Sequence, residues 1–461
     1  MLPPGFVDRL GAIAGQNTLL TDPADCLPYG YDNSRRYALP EAVIFATTHE
    51  QVRDIVRLCA THTVALTARG RGTGTTGATV PIRGGVVLSL ERMHRILRVD
   101  PDNRVMVVEP GVTNQQVQDA AREHGFFWPP DPTSAAFCTV GGNLAYNSAG
   151  PRAVKYGTPR ENTLGLRAVA GSGVELRTGV YTSKGVVGYD LTRLLIGSEG
   201  TLALITEATL KLTPLPEAVC TLQAVYADMG AAARAVSRIM AQPTTPYTLE
   251  FMDGRAIDMI RTCSQTNLPE GAGALLMIEL DGQRAALDAA AKQVTAAARG
   301  AGLLAINAAR TEEEKAALWA TRKALSPALR RIAPKKINED VVVPVSRMGG
   351  LIEGLAKLSR EYGITIVNFG HAGNGNIHVN LLVNPDDPDE MSRAHACLDA
   401  VFALVLALGG TLSGEHGVGL EKRPHIGREL NPEAARLMHG IKALFDPKGI
   451  LNADKTLPPA E

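Results

Sequence analysis

Two histidines flank a predicted β-hairpin at a spacing that would let them bind one metal ion together. The segment is NFGHAGNGNIHVNLL, in which strand-like runs surround the dipeptide Asn374-Gly375. That dipeptide is a strong hairpin signal, because a type I′ turn needs positive φ at both central residues. With this turn His371 would face His378, and directly opposed Cβ atoms lie about 4.5–5.5 Å apart. Two imidazoles at that separation can share a Zn²⁺-sized ion; the alternative is an unligated pair on a sheet surface.

A second polar segment, SGEHGVG over residues 413–419, carries a carboxylate next to an imidazole. Neighbours on a regular strand point to opposite faces. The flanking glycines free the backbone, so Glu415 and His416 could both approach one site. A carboxylate would complete a His₂-carboxylate ligand set with open positions for a substrate. A glycine-rich surface turn with two polar residues remains the alternative.

A glycine-rich loop follows the short apolar run that ends at Leu66. Residues 72–77, GTGTTG, match the dinucleotide-binding pattern GxGxxG. A Rossmann loop opens a helix, but Pro81, Gly84 and Gly85 follow here and would not continue one. The sequence therefore disfavours NAD bound in a Rossmann fold. A helix-free loop of Gly and Thr can still bind a diphosphate through converging backbone N–H groups and hydroxyls, and a flexible turn is the alternative.

Several motifs resemble one flavoprotein family. ARGRGTGTTGA, PPDPTSAAFCTVGGNLAYNSAGPRAVKYG and LLIGSEGTLALITEATLKL resemble the FAD domain of the vanillyl-alcohol-oxidase-type flavoproteins. The C-terminal HAGNGNIHVN, SGEHGVG and DPKGILNADK resemble its D-lactate, glycolate and D-2-hydroxyglutarate dehydrogenase branch. The resemblance implies an α+β fold, with a two-lobed FAD-binding domain of the vanillyl-alcohol-oxidase type and an α+β cap domain that contains an antiparallel sheet.

The resemblance also implies which residues contact FAD. The positions carried over are Arg69, Gly70, Arg71, Gly72, Thr73, Gly74, Thr75, Pro132, Thr133, Ser134, Gly141, Gly142, Asn147, Ser148, Gly150, Tyr156, Ile205 and Asn452. Many relatives attach FAD to a histidine of the phosphate loop, but residues 68–77 contain none, which predicts non-covalent FAD. Some relatives form a cysteinyl bond near the position of Cys138. The spacing differs here, and a buried free thiol is expected.

For the metal, the resemblance makes Glu415 the third ligand beside His371 and His378, and His416 the catalytic base. Zn²⁺ and Mn²⁺ both suit such a ligand set, and Zn²⁺ is favoured. The other histidines stand singly in helix-like or loop-like segments and are interpreted as structural.

For the substrate, WATRKALS over residues 319–326 resembles the family's WxxR segment, whose arginine binds a carboxylate. Arg322 would supply the planar guanidinium fork that suits this task, with Ser326 nearby and Asn380 as a further polar contact. Some 2-hydroxyglutarate enzymes have a lysine where this chain has Asn338, which disfavours a dicarboxylate, although Lys335 and Lys336 are close in sequence.

These residues together predict oxidation of a D-2-hydroxy acid, D-lactate-like in size, by metal-assisted hydride transfer to flavin. D-2-hydroxyglutarate and glycolate are alternative substrates. A metal-dependent hydrolase could use the same three metal ligands but would not need the glycine loop. A flavin-carrying electron-transfer or binding protein would not need His416.

The elements that position these residues fall into two domains. Apolar residues at helical spacing predict a helix over 48–61, and a second helix is predicted near 112–124. A Pro-, Gly-, Ser- and Asn-rich loop is predicted over 128–162. Beyond Pro216 the sequence changes to strand-like runs interspersed with Ala-rich helical stretches. Residues 1–215, completed by 426–461, therefore form the predicted FAD-binding domain. Residues 216–425 form the predicted cap domain, which carries the metal site.

The amino-acid composition limits which binding partners and which cellular compartment are expected. The 461 residues contain 47 Lys and Arg and 47 Asp and Glu, so the net charge is zero. The protein therefore has no overall electrostatic field that would attract it to nucleic acid. The six cysteines stand singly, as in a reducing cytosol. The N-terminus lacks the features of a secretion signal, and a cytoplasmic protein, soluble or peripheral to the membrane, is expected. An electron acceptor is needed (electron-transfer flavoprotein, quinone or cytochrome), and a homodimer is possible.

Overall fold

The computed structural model describes residues 1–15, 17–263, 268–309, 311–323, 325, 329 and 333–459. The chain forms two compact units. Unit 1 contains residues 1–150, 157–215 and 415–461, and unit 2 contains residues 151–156 and 216–414. Within the described ranges, no helix combines the length and the apolar character needed to cross a bilayer.

These units differ from the sequence-based domains in two segments. The sequence assigned residues 415–425 to the cap domain, whereas they belong to unit 1. Hydrogen bonds explain this placement, since Leu420 N–H donates to the Thr76 carbonyl at 2.7 Å. Residues 151–156 were assigned to the FAD-binding domain but belong to unit 2, where a lysine among them forms an ion pair with a strand carboxylate.

The strands alternate with helices along most of the chain. In chain order the strands are β1 (Leu19–Leu20), β2 (Ala42–Phe45), β3 (Leu66–Arg69), β4 (Val86–Ser89), β5 (Ile96–Asp100), β6 (Val105–Val108), β7 (Phe126–Phe127), β8 (Thr163–Ala170), β9 (Glu175–Gly179), β10 (Ala203–Lys211), β11 (Thr213–Pro214), β12 (Ala218–Tyr226), β13 (Thr248–Asp253), β14 (Ala274–Gly282), β15 (Leu303–Ala308), β16 (Lys335–Val342), β17 (Thr365–His371) and β18 (Asn376–Val383).

The helices range from single turns to five turns. In chain order they are α1 (Phe6–Ala14), α2 (Pro23–Cys26), α3 (His49–His62), α4 (Asn114–Arg122), α5 (Val140–Tyr146), α6 (Ala153–Tyr156), α7 (Leu191–Leu195), α8 (Met229–Met240), α9 (Gly254–Cys263), α10 (Arg284–Ala298), α11 (Glu312–Lys323), α12 (Met348–Tyr362), α13 (Pro388–Ala407) and α14 (Pro432–Phe445). Short 3₁₀ turns add Leu27–Tyr29, Val345–Arg347, Ala372–Asn374 and Arg423–Arg428.

Unit 1 contains two lobes, as the family fold predicts. The first is a sheet in the order β1-β2-β4-β3, in which β2, β4 and β3 run parallel. Strand β2 is buried on both faces, as expected when helices cover a parallel sheet. The second lobe is an antiparallel sheet in the order β5-β6-β10-β8-β9, whose core includes the fully buried Trp128.

Helix α3 agrees with the predicted segment 48–61. Thr48 caps it by accepting the Gln51 N–H at 3.2 Å, and Val52, Ile55, Val56 and Cys59 are buried on one side. Capping by Ser or Thr satisfies a donor that the first helical turn leaves unpaired. The helix therefore packs with the face that the apolar spacing predicts.

The predicted loop over 128–162 is wrong in part, because α5 and the single-turn helix α6 lie within it. Thr139 caps α5 by accepting the Gly142 N–H at 3.3 Å, and Asn147 ends it with φ 55°. Two glycines in its first turn lower the helix propensity of the sequence, which is why the pattern did not indicate a helix.

Unit 2 is built on one antiparallel sheet, as predicted for the cap domain. The strand order is β15-β12-β14-β13-β17-β18-β16. One face packs apolar residues such as Phe251, Ile377 and Val379 against α8, α12 and α13. Residues paired across the strands share a face, and the opposite face carries the polar residues of the predicted metal site.

Candidate functional site

A cleft in unit 1 lies at the carboxyl end of the parallel strand β3. Its walls are lined by Ala68, Arg69, Gly70, Ala78, Thr79, Leu90, Pro110, Thr139, Gly141, Gly142, Ala145, Tyr146, Leu195, Ser198, Glu199, Gly200, Ala203, Leu204, Ile205 and Asn452. The lining is mainly small or apolar side chains and exposed backbone. Such a surface allows the close approach of a flat, largely apolar ligand.

The glycine loop packs against α5 in a way that requires glycine. A Cβ on Gly74 would lie 2.5 Å from the Tyr146 hydroxyl oxygen, a distance that no real side chain could accept. Gly72 and Gly77 have φ of 64° and 81°, in the left-handed region that favours glycine. The loop is therefore a defined structure against helix α5, and the flexible-turn interpretation is not needed.

Arg69 has a structural task that the sequence did not indicate. Its guanidinium donates to the carbonyl oxygens of Tyr31 at 2.7 Å and Pro28 at 3.2 Å. Burial lowers the pKa of Arg69. The Arg69 side chain thus holds residues 28–31 against β3. Arg69 also lines the cleft, at the start of the glycine loop.

The predicted FAD-contacting residues divide into two groups. Those that line the cleft are Arg69, Gly70, Gly141, Gly142, Ile205 and Asn452. Those in unit 1 that do not line it are Arg71, Gly72, Thr73, Gly74, Thr75, Pro132, Thr133, Ser134, Asn147, Ser148 and Gly150. Tyr156 belongs to unit 2, where its hydroxyl donates to Asp281.

Several cleft residues were not predicted from the sequence, and Thr139 and Tyr146 of the α5 segment are the informative ones. Thr139 caps α5, and Tyr146 ends it with its ring against the glycine loop. The missed signal was the helical spacing from Gly142 to Tyr146 behind a Thr cap. Burial raises the pKa of Tyr146 well above its usual value, so its hydroxyl stays protonated.

A buried charged network closes the cleft on the C-terminal side. The Glu199 carboxylate accepts the N–H groups of Val418 at 2.7 Å and Gly419 at 2.8 Å. Burial raises the pKa of Glu199 to about 7 and lowers that of Lys455 to about 7. Asn452 donates to the Glu199 carbonyl at 2.5 Å. Glu199 therefore ties the segment just after His416 to the wall of the cleft.

The described lining of the cleft offers neither of the two residue types considered from the sequence for a covalent flavin bond. Its described lining residues include neither histidine nor cysteine. Cys138 is 3% exposed, and its sulfur accepts the Asn143 amide at 3.3 Å. Burial raises the pKa of the Cys138 thiol, so this group is a buried thiol packed beside α5.

The hairpin that carries the two histidines differs from the predicted one. In the sheet, His371 pairs with Asn376 and Phe369 pairs with His378. Gly375 has φ 69°, but Asn374 does not have a positive φ, so the predicted type I′ turn is wrong. The loop is longer because neighbouring groups anchor it: Gly375 N–H donates to Ala372 at 3.1 Å, and Val343 N–H donates to Gly375 at 3.0 Å.

The two histidines nevertheless share a face of the sheet. Asn376, the partner of His371, lies two residues before His378, and side chains two positions apart on a strand point the same way. The imidazole centroids are 5.2 Å apart with an interplanar angle of 83°. Both residues are buried, each 8% exposed. The histidines are thus diagonal neighbours rather than directly opposed residues.

Glu250 orients His371. The two residues are paired between β13 and β17, and the Glu250 carboxylate accepts a hydrogen bond from Nδ1 of His371. Glu250 is 3% exposed. In ligating histidines a carboxylate at one ring nitrogen typically orients the ring so that the other nitrogen faces the metal.

Asp340 holds the chain just before Glu415. It is paired with His378 in the sheet and is fully buried. Its carboxylate accepts the Gly414 N–H at 2.9 Å and the Ser413 hydroxyl at 3.4 Å. The last residues of unit 2 before Glu415 are therefore fixed beside the strand pair that carries His378.

Asn380 lies on the same face as His378 and is fully buried. Its amide nitrogen donates to the carbonyls of Val367 at 3.2 Å and His378 at 3.1 Å. Its amide oxygen accepts no hydrogen bond from the part of the chain that the structure describes. Since buried polar atoms are usually paired, this oxygen is suited to a ligand that donates a hydrogen bond.

Glu415 and His416 belong to unit 1. The Glu415 carboxylate accepts the N–H groups of Ala149 at 3.3 Å and Gly150 at 2.7 Å through one oxygen. The His416 carbonyl accepts the Thr76 hydroxyl at 3.3 Å. Arg322 lies in α11, but its side chain is outside the described part of the chain, and Ser326 lies outside the described residues.

Two sequence families match the chain, in separate segments. The family described as FAD binding domain matches residues 40–179. The family described as FAD linked oxidases, C-terminal domain, matches residues 215–456.

Similar curated proteins span almost the whole chain. Identity is 38% over 456 residues with the glycolate oxidase subunit GlcD of Bacillus subtilis, covering 99% of this chain and 97% of that protein. Identity is 34% with a D-lactate dehydrogenase of Anaerostipes hadrus, covering 98% and 97%. It is 36% with a D-lactate dehydrogenase of Archaeoglobus fulgidus, covering 93% and 95%.

Solved structures of lower identity share the fold. p-Cresol methylhydroxylase has a TM-score of 0.79 at 20% identity, covering 97% of this chain and 95% of that chain. The 4-ethylphenol oxidase of Gulosibacter chungangensis has a TM-score of 0.78 at 19% identity, covering 99% of each chain.

Proposed function

Because the chain belongs to the family of FAD linked oxidases, we propose that it oxidises a D-2-hydroxy acid of D-lactate-like size to the 2-oxo acid. The observation that carries the proposal is the pair of buried histidines on one sheet face, with Nδ1 of His371 bonded to Glu250. A flavin carrier does not need that arrangement, whereas a metal-assisted dehydrogenase does. The named relatives, a glycolate oxidase subunit and D-lactate dehydrogenases, support the same reaction class.

FAD fits the cleft of unit 1. Backbone at Gly70 and at Gly141-Gly142 would approach the cofactor closely, and Ile205 would supply apolar contact. The neighbouring glycine loop, with its hydroxyls, suits the pyrophosphate. The absence of His and Cys from the described lining supports non-covalent binding.

A divalent metal fits His371 and His378, with Glu415 as the proposed third ligand. Glu250 fixes the His371 tautomer that a metal requires. Glu415 directly follows Gly414, whose N–H is bonded to Asp340 opposite His378. One carboxylate oxygen of Glu415 accepts backbone N–H groups, and the second oxygen would serve the metal. Two imidazoles favour Zn²⁺ over Mn²⁺.

The remaining residues would bind and deprotonate the substrate. Arg322 would pair with the carboxylate of the 2-hydroxy acid, with Ser326 nearby and Asn380 as a further polar contact with the substrate. When bound, the metal would supply Lewis acidity toward the substrate hydroxyl, and FAD would supply the acceptor for a hydride from C2. His416 would remove the hydroxyl proton as general base.

The choice among 2-hydroxy acids rests on a few residues. Asn338 pairs with Asn380 across β16 and β18, so both side chains lie on the face of the histidines. A neutral amide there gives no charge partner for a second carboxylate, which favours D-lactate over D-2-hydroxyglutarate. Glycolate is the second candidate, since the 38% identical relative is named a glycolate oxidase subunit.

The proposal extends to an electron acceptor, for which electron-transfer flavoprotein, a quinone and a cytochrome are candidates. We further propose a cytoplasmic protein, soluble or peripheral to the membrane, that forms a homodimer and has no nucleic-acid partner. A metal-dependent hydrolase is the competing function. It would explain His371, His378 and Glu415 but not the flavin-type cleft.

Anaerobic flavin reduction tests the proposed function directly. Purified protein is mixed without oxygen with D-lactate, glycolate or D-2-hydroxyglutarate while flavin absorbance is followed, and L-lactate serves as the matched control. We expect the fastest bleaching with D-lactate and none with L-lactate. Flavin that no 2-hydroxy acid reduces would overturn the proposal, and a flavin-free protein that hydrolyses esters would favour the hydrolase.

A further inference from the structure

Unit 1 contains a second cavity, at the opposite end of its parallel sheet from the cleft. Val64 and Ala65, which precede β3, and Gly85, which precedes β4, form part of its wall. The glycine loop follows the other end of β3. The cavity has a volume of about 640 Å³, within the size range of small-molecule sites. It is therefore distinct from the proposed flavin site.

The cavity has an excess of positive charge. Its basic lining side chains are Arg83, Lys442, Lys448, Lys455 and Arg423, and its acidic ones are Glu41 and Asp454. Arg83 and Arg423 both pair with the single carboxylate of Asp454. Two guanidinium groups that share one carboxylate leave one positive charge unbalanced.

Two of the lysines are already engaged inside the fold. Lys442 pairs with Asp446 at 2.5 Å and donates to the Thr201 carbonyl at 2.6 Å. Lys455 donates to the Ala78 carbonyl at 2.8 Å. Lys448, by contrast, is exposed at the mouth of the cavity. It can thus meet an incoming anion without breaking a buried contact.

Two imidazoles add hydrogen-bonding groups to the wall. His62 ends α3 and His439 lies in α14, and both line the cavity. Their Nε2 atoms are buried, and within the described ranges no group forms a hydrogen bond with either. Buried ring nitrogens are usually paired, and each can donate to an anionic oxygen when it carries a proton.

We propose that this cavity binds a small dianion, a molecule that carries a phosphate group or two carboxylates. Lys448 and the unbalanced guanidinium would supply charge, and His62 and His439 would donate hydrogen bonds. Guanidinium groups are well suited to both anions. The proposal goes beyond the proposed oxidation of hydroxy acids and does not depend on it.

Asn452 would connect the two sites. It lines both the cavity and the cleft, and its amide donates to the Glu199 carbonyl in the wall of the cleft. A dianion in the cavity would therefore change the surroundings of a residue that borders the flavin. Occupancy should alter flavin fluorescence or reduction rate without competition at the substrate site.

Calorimetric titration of the holoenzyme tests the proposal, with inorganic phosphate, malonate and acetate as probes at constant ionic strength. We expect saturable binding of phosphate or malonate at one site per chain, and no comparable binding of acetate. Tighter phosphate binding would assign the site to phosphate-bearing molecules, and tighter malonate binding would assign it to dicarboxylates. Flavin reduction by the substrate is then measured with the probe present.

The decisive variant is Lys448→Glu, which reverses an exposed charge at the mouth. Its dianion affinity should fall at least about tenfold, because a like charge would face the ligand. The matched control is Lys184→Glu, an exposed lysine of unit 1 that does not line the cavity. Absence of saturable binding to the wild type, acetate binding as tight as phosphate, or equal losses in both variants would overturn the proposal.

Discussion

The carboxylate of Glu250 accepts a hydrogen bond from Nδ1 of His371, its partner across β13 and β17. This contact selects the ring nitrogen that can face a metal. It also explains why a buried carboxylate stands in the middle of an otherwise tightly packed strand. The relationship makes Glu250 a positioning residue whose effect on the metal should be separable from its effect on the fold.

Replacing Glu250 by Leu should weaken metal binding by about 10–100-fold, the usual effect of removing the carboxylate behind a ligating histidine. Glu250→Gln keeps an oxygen acceptor for the Nδ1 proton and should weaken it much less. Metal affinity by competition with a chelator is the measurement, with flavin content as the control for folding. Equal losses in both variants would show that the charge of Glu250, rather than its acceptor atom, is what matters.

Replacing His371 or His378 by Ala should lower metal content and the rate of flavin reduction while FAD stays bound. The histidines lie on strands of unit 2, and the cleft residues belong to unit 1. Elemental analysis and the flavin spectrum give the two readouts. His49 is a buried histidine of unit 1 that is bonded to Thr206 at 2.7 Å. It is the site for a control, and His49→Gln should keep the metal. Full metal and activity in the His371 variant would contradict the ligand assignment.

Replacing His416 by Ala should slow flavin reduction by about 10²–10⁴, the usual cost of removing a general base, with a smaller change in substrate affinity. Metal content should survive, because the three proposed ligands remain. Glu415→Ala should instead lose metal and substrate affinity together. If the His416 variant lost the metal and the Glu415 variant kept it, His416 would be the metal ligand and Glu415 the base.

Denaturing the protein with acid or heat should release FAD into the supernatant. The cleft has neither histidine nor cysteine among its described lining residues, and the Cys138 sulfur is packed against Asn143. Absorbance of the supernatant after precipitation is the measurement. Flavin that remains on the precipitated chain after washing would show a covalent bond.

Glu199→Gln should change the pH dependence of stability. Burial raises the pKa of Glu199 from 4.5 to about 7, so between these values the folded protein binds more protons than the unfolded chain. Wild-type stability therefore falls as pH rises through this window, whereas glutamine does not titrate. From pH 4 to pH 8 the variant should gain up to about 3 kcal/mol relative to wild type.

Denaturant unfolding at several pH values measures this difference. A difference in free energy of unfolding that does not vary with pH would mean that Glu199 has the same pKa in the folded and unfolded states.

The sequence by itself determined the elements with strong periodicity or residue-specific chemistry. Helix α3 follows from the spacing of Val52, Ile55 and Val56, and the glycine loop from residues that tolerate positive φ. The shared face of His371 and His378 was also predicted, although from a turn that the structure does not have. It survives because the register differs by two residues, from His378 to Asn376 opposite His371, and strand side chains alternate with period two. These signals depend on residues that are close in sequence, so they can be recognised without knowing which distant residues pack against them.

Tertiary contacts decided the rest. The turn after His371 is longer than the type I′ turn because Val343, just after the end of β16, bonds to Gly375. Glu250 meets His371 only through strand pairing between residues more than a hundred positions apart. Residues 415–425 join unit 1 through bonds such as Leu420 to Thr76. Pairings of distant residues depend on register and packing, which a local sequence pattern does not encode.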